Sequence, residues 1–189
     1  VQTPVNLPSI VIGAAKQVLS GPTSVGDGTY TTTYQVRVKN MGGMDIYDMQ
    51  LFDTLSSFGT YTASTPTQGG KYTISTAPSV AFISSGSALT PNSAFTGSGT
   101  QTSLINFNAG DKLEIGDSVA LNFTVKFRPF KDTTYRNQVI ATGDRFQDGD
   151  ADRDAIDPSH EGTLIDPDGD GIPNQVRDTI NDIFVGNND

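Results

Sequence analysis

Cysteine and tryptophan are both absent from the 189 residues, and histidine occurs once, at His160. Without cysteine there is no disulfide, no thiol nucleophile and no zinc site built on thiolates. One histidine excludes a multi-histidine metal centre and leaves a Ser-His-Asp triad a single candidate base. No G-x-S-x-G elbow accompanies it, and His160, between Ser159 and Glu161, reads as a loop residue. The sequence therefore reads as non-enzymatic. No apolar run approaches the ~18–20 residues of a membrane span. No charged n-region followed by an apolar h-region opens the chain, so Val1 reads equally as a mature start or as an arbitrary boundary. No internal repeat is detectable.

Charged residues make up only 17% and hydrophobic residues 35%, both below the usual share, while Gly (20) and Pro (10) punctuate a Ser/Thr-rich chain. That composition suits a β-rich, turn-rich domain, with enough apolar content to bury a core. The run Tyr30–Lys39 alternates cleanly, with Tyr34, Val36 and Val38 on one face. In 118–127, Val119, Leu121, Phe123, Val125 and Phe127 line one face in the same way. Shorter strands are expected at 10–18, 46–52, 71–75, 80–84, 103–107, 112–115 and 135–141, the last being the final one. Turns fall at Gly21-Pro22 and at Gly26-Asp27-Gly28, and residues 1–9 read as an extended lead-in with two prolines. The one helical periodicity is 175–184, with Val176, Ile180, Ile183 and Phe184 on one side. Short strands at 8–12-residue spacing predict an all-β fold, a β-sandwich.

The formal charge of −9 is unevenly placed. Residues 1–143 balance at +1, whereas 144–189 carry −10. This divides the chain into a sandwich over 1–143 and an acidic segment over 144–189, packed on the sandwich or extending it. Acidity of this kind argues against nucleic acid, which needs clustered Lys and Arg, and for a cation.

Within the acidic segment, Asp166, Asp168 and Asp170 alternate ahead of Gly171, followed by Ile172 and Asn174. Three carboxylates, an inward carbonyl at Ile172 and the amide of Asn174 have the spacing of an EF-hand-type calcium loop, and Gly171 permits the sharp turn. The twelfth position is Arg177 where a bidentate carboxylate belongs, and Asp178 follows as a candidate closing ligand. A second cluster, Asp148, Asp150, Asp152, Asp154 and Asp157, has the alternation but Arg153 where glycine should stand. It reads either as a second calcium site, as a source of ligands for the first, or as a solvated acidic surface.

The stretch from Lys16 through TYTTTYQVRVKNMGG to LFDTL resembles the first half of the DUF11-type Ig-like repeat of bacterial surface proteins. LEIGDSVALNFTVKF followed by YRNQVIATG resembles its second half. DPDGDGIPN at 166–174 resembles the acidic closing segments of such repeats and thrombospondin type 3 calcium repeats. Residues 56–102 match nothing in the family. The resemblance implies an Ig-like Greek-key β-sandwich, a secreted or cell-surface structural domain stabilised by Ca2+, either an adhesin stalk module or a filament subunit. In the filament reading, the N-terminal segment and open sheet edges support self-association. An alternative is a calcium-dependent module that binds a glycan or a protein through the loops of 56–102.

The same resemblance raises an intramolecular isopeptide bond, formed in some bacterial surface Ig-like domains between Lys and Asn beside a buried acid. Lys16, Asp53 and Asn137 occupy suitable places. An apolar surround lowers an amine's pKa and raises a carboxylic acid's, which would leave the amine nucleophilic. The simpler alternative is that Lys16 snorkels to solvent, Asp53 caps a turn and Asn137 bonds backbone, and sequence alone favours it. Asn122-Phe123-Thr124 also matches a glycosylation sequon, a short motif that arises often by chance.

Overall fold

The computed structural model describes residues 8–55, 58, 72–129, 135, 137–148, 153–166 and 173. Among the described residues eight strands run in chain order: β1 (Ile12–Ser24), β2 (Tyr30–Asn40), β3 (Tyr47–Phe52), β4 (Tyr72–Ile83), β5 (Ser118–Phe127), β6 (Ile140–Asp144), β7 (Ala155–Pro158) and β8 (His160–Glu161). They form two sheets, β4-β5-β2-β1-β8 and β3-β6-β7, with a shared apolar core. The protein is all-β.

The clearest alternations build the centre of the larger sheet. Each of Tyr34, Val36 and Val38 on β2, and of Val119, Leu121, Phe123, Val125 and Phe127 on β5, is buried. Burying each such side chain contributes roughly 1.5–3 kcal/mol, so these two rows carry much of the core. The smaller sheet returns Met49, Leu51 and Ala141 against them, with Ile46 and Val139 buried just outside its strands.

Several elements differ from the sequence expectation. The Gly21-Pro22 turn lies within β1, which stays paired with β2 to Ser24↔Tyr30 by shifting register after Val18 and again after Ser20. The two strands expected at 71–75 and 80–84 are one, because β5 offers a continuous partner and three register shifts absorb Pro78 and its neighbours. Conversely, 103–107 and 112–115 make only isolated bridges, Phe52↔Ser103, Pro91↔Ile105, Ala88↔Lys112 and Ile46↔Leu113. Their apolar residues Leu104, Ile105 and Leu113 still enter the core, and Leu104 N–H donates to Leu51 O at 2.9 Å, so this loop covers the free edge of β3.

The last expected strand, 135–141, begins only at Ile140, and two more strands follow it. β7 pairs antiparallel with β6, and β8 pairs parallel with β1 through Ala15↔His160 and Lys16↔Glu161. His160 is thus a strand residue. Beyond it Ile165 lies over β1, where any side chain on Gly13 would collide with its Cγ2. The expected helix at 175–184 and the N-terminal residues 1–7 lie outside the described residues.

Candidate functional site

Inward-facing positions on β1 run Ile12, Ala14, Lys16, so the alternation carries a lysine into the core. Lys16 is fully buried, at 0% exposure, and so is Asp53 just past β3; Asn137, ahead of β6, is 6% exposed. Lys16 Nζ donates to Asp53 Oδ2 at 2.5 Å, and Asn137 Nδ2 donates to the same oxygen at 3.3 Å. The other oxygen, Oδ1, accepts from Leu55 N–H at 3.2 Å, and Asp53 N–H donates to Thr102 O at 2.8 Å. The carboxylate is therefore held at both ends. Leu55 adopts a positive φ of 45°, an uncommon conformation for a branched residue, and the turn that holds Asp53 depends on it.

Aromatic rings wall the amine. Its Nζ lies 4.7 Å from the Tyr34 ring centroid and 5.2 Å from that of Phe123. These two rings stack at 5.5 Å, and Phe95 meets Phe123 edge-on at 5.4 Å. Burial pushes the Lys16 amine below its ordinary value, although the charge of Asp53 and its hydrogen bond pull the other way. Burial also raises the Tyr34 phenol, with the Asp53 charge adding to the effect, so the ring stays neutral.

This arrangement overturns the Lys16 part of the simpler sequence reading. Lys16 does not snorkel: β2 and β8 flank its strand on both sides and the rings cover its head. Asp53 does receive a turn N–H, from Leu55, yet its second oxygen is committed to Lys16 and Asn137. Breaking a buried ion pair costs about 3–5 kcal/mol, and such a pair needs further hydrogen bonds on its carboxylate, which Asn137 Nδ2 and Leu55 N–H donate to Asp53. Chemically, the site sets an amine and a carboxamide on one carboxyl group in a dry pocket.

The acidic candidates are dispersed where they are described. Asp148 is exposed, and Asp154 pairs with Arg145 Nε at 2.5 Å. Asp157, only 1% exposed, turns inward, where its Oδ2 accepts from Ala14 N–H at 2.7 Å and its Oδ1 is left without a hydrogen bond. Burial pushes the Asp157 carboxyl up to about 7, against the pull of the Ala14 N–H. Among the described residues no three acidic or histidine side chains gather to hold a metal ion. Asp166 borders a groove, while Asp150, Asp152, Asp168, Asp170, Ile172, Asn174 and Asp178 lie outside the described residues.

That groove, about 630 Å³, runs over the outer face of the larger sheet between Phe82 and residues 163–166, with Gln35, Arg37 and Lys39 on its floor. Sequence reasoning missed it, because the wall comes from a segment remote in the chain. A cross-strand amide row leads to it: Gln17 Nε2 donates to Gln35 Oε1, and Gln35 Nε2 to Asn122 Oδ1, each at 3.0 Å. Asn122 of the sequon thus spends its amide oxygen within the sheet.

No family model matches the chain, and no match was found among curated proteins. Among the described residues no helix is long and apolar enough to cross a membrane.

Proposed function

We propose that this protein is a structural module of an extracellular, cell-surface assembly, a calcium-stabilised Ig-like β-sandwich that locks itself with an isopeptide bond between Lys16 and Asn137. The observation that carries this reading is the convergence of Lys16 and Asn137 on Asp53 Oδ2 inside an aromatic pocket. In a chain without cysteine, such a bond supplies the covalent staple that disulfides provide elsewhere.

The chemistry needs no co-reactant. Lys16 passes a proton to Asp53 and becomes a neutral amine, which its burial favours. Protonated Asp53 faces Asn137 Nδ2 across the 3.3 Å contact and is placed to protonate that nitrogen as it departs. Nζ attacks Cγ, the Nζ–Cγ bond forms and the Cγ–Nδ2 bond breaks. Nδ2 leaves as ammonia, taking its third hydrogen from the amine by way of Asp53. Fixing both reactants in one pocket removes the entropy cost of their encounter. The turnover is single, so the domain is its own substrate and not an enzyme.

The stalk reading is preferred to the filament reading. β4, the open edge of the larger sheet, carries Pro78 and three register shifts, and both features disfavour addition of another strand. Calcium enters through the motif at 166–174, whose oxygen donors would brace the acidic segment. Intact mass under denaturing conditions tests the central claim. One ammonia below the calculated mass is expected, and an unshifted mass rejects the bond.

A second reading, a glycan- or protein-binding module, draws on the groove beside Arg37, Lys39 and Phe82. A glycan array probed with and without calcium distinguishes the two, because a purely structural module leaves it blank.

A further inference from the structure

Lys16 and Asn137 stand on stretches of chain that are not ladder neighbours. β1 is hydrogen-bonded to β2 and β8, whereas β6, which follows Asn137, is bonded to β3 and β7. No direct pairing of the two strands therefore sets the separation of the two side chains. Among the described residues, segment 155–162 grips both backbones. Towards Asn137, Ser159 N–H donates to Val139 O at 2.7 Å, and Val139 N–H donates back to Ser159 Oγ at 3.0 Å. Gln138 Nε2 adds a bond to Ser159 O at 3.3 Å. Towards Lys16, Asp157 Oδ2 accepts from Ala14 N–H at 2.7 Å, and Gly162 N–H donates to Lys16 O at 2.8 Å. Ser159 marks the point where the chain leaves one sheet for the other, and it is fully buried.

We propose that Ser159 is a positioning residue for the Lys16–Asn137 condensation, and that residues 155–162 form a clasp that must close before the bond can form. The proposal rests on the isopeptide reading above. Reaction requires the attacking and attacked atoms to approach to about 3–3.5 Å, and a misplacement near 1 Å costs on the order of a hundredfold in rate. Ser159 Oγ is an acceptor for the amide two residues from Asn137, so its loss lets the carboxamide drift from the amine while the two sheets remain intact. Because the clasp follows both reactive residues in the chain, bond formation waits until nearly the whole sandwich has been made.

The test is cell-free synthesis of the full chain, quenched in acid at intervals and read by intact mass. Wild type is expected to lose one ammonia. Ser159→Ala is expected to lose it at least about tenfold more slowly, with unchanged hydrogen exchange at the core amides of β2 and β5, and Ser159→Thr to recover most of the rate by restoring the hydroxyl. Loss at the wild-type rate in Ser159→Ala overturns the clasp while leaving the bond standing. Full mass retained in wild type overturns both. If Ser159→Ala does not fold, Asp157→Ala loosens the opposite side of the clasp and carries the same expectation, and a wild-type rate there overturns the proposal as well.

Discussion

Lys16 and Asn137 share one hydrogen-bond acceptor, Oδ2 of Asp53, at 2.5 and 3.3 Å respectively. They come from distant stretches of the chain, β1 and the approach to β6, so the shared oxygen is a tertiary contact of very high sequence separation. Its three participants make the sharpest predictions.

Asn137→Ala and Lys16→Arg are each expected to show the full calculated mass, since one lacks the electrophile and the other a competent nucleophile. Closing a loop of roughly a hundred residues is worth about 4.7 kcal/mol in the chain-entropy account, so Asn137→Ala should lose stability of that order. Asp53→Ala should fare worse, because it also strands a buried lysine at a cost of about 3–5 kcal/mol. Mass spectrometry with denaturant melts of the three variants checks the order.

Asp157 gives a pH dependence of defined sign. Its folded value of about 7 lies above the ordinary 3.8, so the native state holds this proton more tightly than the unfolded chain does. The contribution is complete below about pH 4 and fades as pH rises through about 7. In Asp157→Asn the amide oxygen can still accept from Ala14 N–H and no charge is buried. The variant should match wild type near about pH 4 and exceed it by roughly 2–4 kcal/mol near about pH 8. Parallel melts across that range decide it, and a constant difference rejects the assignment.

Calcium is expected to raise the melting temperature and a chelator to lower it. At a free concentration about tenfold above Kd, one site contributes ~1.4 kcal/mol. Asp168→Asn combined with Asp170→Asn should abolish the response, as scanning calorimetry with and without calcium would show.

Sedimentation velocity should give a monomer in calcium and in chelator alike, with greater friction in chelator as the acidic segment loosens under its own repulsion. Large species that form in calcium and dissolve in chelator would favour the filament reading instead.

Much of the fold was legible where a strand is half-buried and uninterrupted. β2 and β5 showed their inward faces residue by residue, because each has the core on one side and solvent on the other. Elements made by distant partners were not legible. β4 continues across Pro78 only because β5 lies beside it, and β8 has two residues, too few to carry any period. The site was half legible. Nothing local to Lys16 says that it is buried; that follows from β2, β8 and two aromatic rings closing around it. Asp157 misleads in the opposite sense, since it sits among alternating carboxylates yet caps a backbone N–H across the seam between the sheets.

Under the proposed isopeptide bond, the positions of Lys16 and Asn137 also decide how the domain answers a pull. Lys16 lies on the first strand and Asn137 just ahead of the sixth. With that bond in place, tension applied before the one and beyond the other would run through a single amide between their side chains. Residues 17–136, with all of β2 to β5, then hang outside the loaded path. Such a domain does not lengthen by unravelling that stretch, and the strain passes to whatever is attached on either side.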